Sequence, residues 1–150
     1  MNITVDINFL TFFVSGVLAF LLNVIWYHPK ILGGRWLEVR GAGKGRRTSD
    51  SSPWTGPKKS ALPYIASFFL WTLSACFFSF LCSFLEINTP AGFFCVACLL
   101  WVAFAMPPIL MNALNTGYPF EAMAIDASCQ LGGYYIFAGV HIAFLEAGLL

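Results

Sequence analysis

Charge is scarce in this chain of 150 residues: Asp, Glu, Lys and Arg make up 10% of it, against about a quarter in soluble domains. A water-soluble fold of this length cannot cover its surface with so few charged groups. Lys and Arg are missing altogether from residues 1–29 and 60–150, and the formal net charge is only +1. That excludes a chain that binds nucleic acid through overall basicity. Long polar runs are also missing outside one stretch, and 16 Phe with 5 Trp exclude disorder. No metal-ligand spacing, nucleophile–base arrangement or phosphate-cradling glycine loop is present, since Gly41-x-Gly43-x-Gly45 follows no strand. No metal, no cofactor and no catalytic residue is therefore expected.

Hydrophobic residues make up 59% of the chain. Four runs reach the length of about 20 apolar residues that a membrane-crossing helix needs: Ile7–Tyr27, Leu62–Leu85, Gly92–Leu114 and Phe120–Leu145. The first three carry no charge, and the fourth carries Glu121 at its start and Asp126 within it. Their Leu, Phe and Ala content lacks the alternation of barrel strands, so helices are expected, with backbone groups satisfied inside each segment. The first run has no basic residues before it and ends at Trp26-Tyr27-His28-Pro29, unlike a cleaved signal peptide. The expected fold is a single all-α membrane domain spanning residues 1–150, a bundle of four transmembrane helices.

The connections differ sharply. Residues 29–61 form one long polar loop, and its part from 41 to 60 has the Gly/Ser/Lys/Arg composition of a mobile linker. Glu86–Ala91 and Asn115–Pro119 are short and rich in turn residues, which predicts antiparallel neighbours. All eight basic residues fall in the long loop with Glu38 and Asp50, leaving six net positive charges there. Basic loops stay on the cytoplasmic side. The loop is therefore expected in the cytoplasm, both termini on the opposite side, and anionic lipid headgroups against the basic loop. Trp26, Tyr27, Trp36, Tyr64 and Tyr118 would lie near the inner interface. Ile31, Leu32, Trp36, Leu37 and Val39 would form a short interfacial segment, with Lys30, Arg35 and Arg40 reaching headgroups.

An ionisable side chain at membrane depth marks a candidate functional position. This topology brings Asn23, Tyr27, His28, Asn112, Asn115, Asp126 and Gln130 to one level in the inner half. Two readings fit that gathering. One is an interhelical hydrogen-bond cluster holding the bundle together. The other is a polar, cytoplasm-facing site for a small solute, a proton or a lipid headgroup. Pro107-Pro108 predicts a kink beside it. On another face of the last helix, Ala124, Ser128, Gly132, Gly139, Ala143 and Ala147 form a small-residue stripe. Ser128, Gly132, Gly139 and Ala143 are its expected packing positions, within the bundle or against a second copy or membrane partner. His141, about 22 Å along the helix from Asp126, is expected at the interface. Cys95 and Cys98 form a C-x-x-C inside an apolar helix. A membrane thiol oxidoreductase would use such a pair, but apolar surroundings disfavour a thiolate.

Two stretches resemble a known family. Trp26-Tyr27-His28-Pro29-Lys30-Ile31-Leu32-Gly33-Gly34-Arg35-Trp36 resembles the Trp-Tyr-x-Pro-x-x-x-Gly-x-x-Trp signature of small four-helix membrane proteins catalogued as domain of unknown function seventeen sixty-one. Leu100 to Ala127, with Trp101, Pro107, Asn112, Ala113, Gly117, Pro119 and Asp126, is similar to that family's third and fourth helices. The resemblance implies the four-helix architecture and no particular activity.

Overall fold

The computed structural model describes residues 8–42 and 61–149; the expected linker lies largely outside them. Among the described residues the chain is helical, with no strand. Helix α1 spans Phe9–Trp26, and after a π-helical turn at Pro29–Gly33 comes α2, Gly34–Ala42. Helix α3 spans Leu62–Phe84. The third apolar run is α4, Pro90–Leu100, a π-helical turn at Trp101–Ala105, and α5, Met106–Thr116. Helix α6 spans Phe120–Glu146. Three stretches, Phe9–Arg40, Leu62–Phe84 and Pro90–Thr116, are long and apolar enough to cross a membrane. Helix α6 has the length, with 27 residues, but carries more polar groups along its sides.

Local chemistry sets the helix ends. The Asn8 side chain accepts from the amides of Leu10 and Thr11 at the start of α1 and donates to the Leu149 carbonyl at 2.7 Å, joining the two chain ends. Thr89 caps α4 by accepting from the Gly92 amide, with Pro90 in the first turn, where a missing N–H does no harm. Gly117 closes α5 at φ 64°, a left-handed conformation that costs glycine nothing.

The expected proline kink takes the form of a π-helical turn. Pro107 and Pro108 have no N–H to return to the preceding turn. The helix widens over Trp101–Ala105 just before them, and the Met106 amide reaches the Trp101 carbonyl, absorbing the mismatch without a break.

Helix α6 is the hub. It packs along α1 and α4, and α1 also packs along α3. Helices α3 and α4, expected as close neighbours from their short turn, touch only lightly, and the buried rings of both meet α6 instead. Trp71 and Phe78 of α3 meet Phe137 of α6, and Phe93, Val96 and Ala97 of α4 close the same cluster. The interior is otherwise small and partly polar: Thr11, Ser15, Ala19, Ala75 and Ala138 are buried. The exterior is Phe and Leu, with Phe69, Phe77, Leu70, Leu99 and Phe104 all more than 60% exposed. Large apolar side chains outside and small ones inside is the arrangement of helices packed in lipid.

Gly16 and Gly133 each make room for a neighbour, the α3 backbone at Gly16 and the Trp71 ring at Gly133. A Cβ on Gly16 would meet the Thr72 backbone at 2.7 Å, and one on Gly133 would overlap the Trp71 ring. We predict that Gly133→Ala destabilises the detergent-solubilised protein by about 1–3 kcal/mol, the usual cost of overpacking. Gly139→Ala, whose Cβ meets nothing, should leave the thermal midpoint unchanged.

Candidate functional site

Asp126 lies less than two turns into α6, and three segments converge on its carboxylate. Oδ1 accepts from the Tyr27 hydroxyl at 2.6 Å and from the Trp36 indole N–H at 2.8 Å. Oδ2 accepts from the Tyr118 hydroxyl at 2.8 Å. Two further indoles flank it on the α6 backbone: Trp26 donates to the Ile125 carbonyl at 3.1 Å and Trp101 to the Ala127 carbonyl at 2.9 Å. The donors come from the end of α1, from α2, from the π-helical turn before α5 and from the turn before α6. This carboxylate therefore ties the bundle to the segment that leaves it.

The Pro29–Gly34 stretch makes the convergence possible. His28 caps the turn, its Nδ1 accepting from the Lys30 amide at 3.3 Å. The Gly33 amide then returns to the His28 carbonyl at 3.2 Å. A Cβ at Gly33 would overlap the Tyr27 carbonyl, and one at Gly34 would meet the Pro29 carbonyl at 2.6 Å. Only glycines let the chain fold back this tightly, and the fold-back stacks Trp36 edge-to-face on Tyr27, ring centroids 5.8 Å apart.

Charge is layered above the aromatics. The Arg40 guanidinium sits 4.6 Å from the centre of the Trp36 ring and 5.3 Å from that of Tyr118, a cation–π arrangement on the rings that hold Asp126. Arg35 makes a two-pronged bond to Glu121, at 2.6 and 3.1 Å, and reaches Glu38 at 3.1 Å. Half-exposed pairs of this kind contribute about 0–1 kcal/mol, so they set the direction of α2 more than its stability. Burial, and then the bond to Asp126, raise the Tyr118 hydroxyl above its ordinary range, so it remains a donor.

Of the residues expected at one level, the structure brings Tyr27 and Asp126 together. Asn23 is turned to α3, its Nδ2 donating to Ser67 at 3.0 Å, with Cys129 Sγ 3.7 Å from its Oδ1. His28 is an exposed cap. Asn112 and Asn115 are exposed on α5, and Gln130 is half-buried without touching the Asp126 bonds. The stripe on α6 faces mostly outward: Ser128, Gly139 and Ala143 are exposed, and Gly132 meets the Leu22 side chain of α1. All five cysteines are free; Cys95 is exposed and Cys98 lies 3.5 Å from the Tyr135 hydroxyl. Sequence reasoning assigned Trp36, Tyr118 and Arg40 to the interface and left Trp101 without a partner. Their signal was present, since indole and phenol groups are hydrogen-bond donors and Asp126 is an acid inside an apolar run.

A family model described as Protein of unknown function (DUF1761) matches residues 10–142, nearly the whole chain. The protein belongs to this family. No curated protein and no solved structure matches it. For this DUF1761 member, the geometry defines a carboxylate already satisfied by internal donors. An ionised carboxylate has about four lone-pair positions, and three are taken by side chains of the same chain.

Removing the acceptor exposes its importance. Asp126→Ala leaves three donors without their partner, at about 1–3 kcal/mol for each that stays buried. Thermal unfolding in detergent should fall accordingly, and a fluorine label on Trp36 should shift in NMR. Asp126→Asn, which keeps one acceptor oxygen, should fall less.

Proposed function

We propose that the protein is a non-enzymatic membrane protein whose basic end engages anionic lipid headgroups, with α2 as the contacting element and Asp126 as the latch that holds it. The observation that carries this reading is the saturation of Asp126 by Tyr27, Trp36 and Tyr118. A carboxylate held in this way serves poorly as a solute or proton site. It serves well to fix a short amphipathic helix against the bundle. Lys30 and Arg40 are exposed and form no ion pair among the described residues; Arg40 rests on the Trp36 and Tyr118 rings, and both cations can meet phosphate from the solvent side. In this reading α6 is the fourth crossing, the basic loop faces the cytoplasm, and both termini lie on the other side.

Native mass spectrometry of the protein released from detergent tests it. We expect phosphatidylglycerol to be retained in preference to phosphatidylcholine. Lys30→Gln with Arg40→Gln should weaken retention by about fivefold per charge, at about 1 kcal/mol each near a charged surface. Equal retention of both lipids, or no effect of the double variant, would overturn the reading.

A second reading has its own observation. A Cβ on Gly139 meets nothing within 4 Å, and Ser128 and Ala143 on the same stripe are also exposed. This face suits close approach of a second copy. Gly139→Cys is expected to form a disulfide-linked dimer in native membranes under mild oxidation; an exclusively monomeric product would count against self-association.

A further inference from the structure

A cavity of about 310 Å³ opens at the end of the bundle remote from Asp126, between α1, α3, α4 and α6. His141, on its wall, lies fifteen residues beyond Asp126 on the same helix, about 22 Å away along the axis. This volume is at the lower end of small-molecule sites. The groups around it divide into a polar base, apolar walls and a charged mouth.

The base is built from α1, α3 and α6. His141, expected at the interface, is instead 2% exposed, with the rings of Phe78 and Phe93 packed on it at 5.1 and 5.4 Å. Its Nδ1 lies 2.7 Å from the Phe137 carbonyl. A carbonyl only accepts, so Nδ1 carries the proton, and a neutral ring then leaves Nε2 as an acceptor. Ser79 Oγ, 2.9 Å from Nε2, therefore gives its proton to His141 and keeps its lone pairs for something else. Thr11, beside them, is 1% exposed, and its hydroxyl has no hydrogen-bond partner among the described residues. A buried hydroxyl left this way costs about 1–3 kcal/mol, and it lines the cavity.

Ile87, Phe93 and Leu145 form the apolar walls, and Glu86 stands among the lining residues as the one charged side chain. Glu86 is also the one non-glycine residue with positive φ among the described residues, at 53°. Glycine is the residue that takes this conformation without steric cost. The chain holds a carboxylate where backbone geometry favours glycine, at the mouth of a cavity with an unsatisfied hydroxyl inside. No Lys or Arg occurs in residues 1–29 or 60–150, so nothing basic from those segments opposes a cation here.

We propose that this cavity binds a small organic ammonium ion with an apolar body. The lone pairs of Thr11 and Ser79 accept N–H groups at the base, Glu86 supplies the opposite charge from the mouth without touching them, and Phe93 with Ile87 and Leu145 covers the hydrocarbon part. Phe93 adds a π face to the cation. Anions are disfavoured by Glu86, and neutral molecules forgo its attraction. The site is independent of the lipid contact proposed for the opposite end.

Isothermal titration calorimetry on the full chain in nanodiscs, with empty nanodiscs subtracted, tests the proposal using three probes of one shape. These are 2-phenylethylammonium, 2-phenylethanol and phenylacetate. The ammonium probe is expected to bind saturably, at least tenfold tighter than the alcohol, with no binding of the carboxylate. Glu86→Gln should weaken the ammonium probe at least tenfold and leave the alcohol unchanged. Glu86→Gly should raise the melting temperature, by relieving the positive φ, while losing the same binding. Thr11→Val should weaken both the ammonium and the alcohol. Equal affinity for all three probes, no saturable binding of the ammonium, or full binding by the folded Glu86→Gln protein would each overturn the proposal.

Discussion

A carboxylate within an apolar bundle must be met by hydrogen-bond donors, and much of the geometry at the basic end follows from how this chain meets that demand. Leaving an ionised group unpaired in a low-dielectric surrounding is far costlier than ordering the side chains that pair it. Asp126 receives two hydroxyls and an indole, and Trp26 and Trp101 fasten the α6 backbone on either side. Each donor stands on a different segment, so satisfying one side chain also fixes the exit of α1, the direction of α2 and the turn into α6. Arg40 packs over the Trp36 and Tyr118 rings, two of the side chains that donate to Asp126.

The bundle holds itself together by close approach where it can and by large rings where it cannot. Helices α1 and α3 come close at Gly16, where no side chain intervenes. Between α3 and α6 the space is filled by Trp71, Phe78 and Phe137. Beyond them the cavity beneath Glu86 opens, with Phe93 in its wall. The first π-helical turn begins at Pro29 and the second precedes Pro107 and Pro108; only in the second do the missing N–H groups fall inside a helix. Each also delivers an indole to α6, Trp36 soon after the first and Trp101 from the second.

Much of the architecture was legible in the residues. The apolar runs and a short segment after Pro29 followed from run length and residue pattern, and the DUF1761 family from the resemblance carried by the Trp26–Trp36 and Leu100–Ala127 stretches. The depth argument also singled out Asp126 and Tyr27. It erred in grouping residues by level alone. Asn112 and Asn115, expected at the depth of Asp126, stand on exposed positions of α5, and Asn23 turns to Ser67. Depth along a membrane normal is a one-dimensional coordinate, and rotation about each helix axis is set by packing that run length does not encode. The small-residue stripe illustrates the same limit: helical period predicts that Gly132 and Gly139 share a face, but not that this face points largely outward while Gly133 receives Trp71.

Composition and periodicity thus decided that the chain forms apolar helices, where they begin and end, and that Asp126 enters the apolar part of the last of them, because these depend on local transfer energies and backbone hydrogen bonding. Tertiary structure alone decided which donors reach that acid, that His141 is buried against Ser79 instead of lying at an interface, and that Thr11 and Glu86 frame one cavity. Those outcomes depend on the rotation and spacing of helices distant in sequence, fixed only when the rings of α3, α4 and α6 find room together.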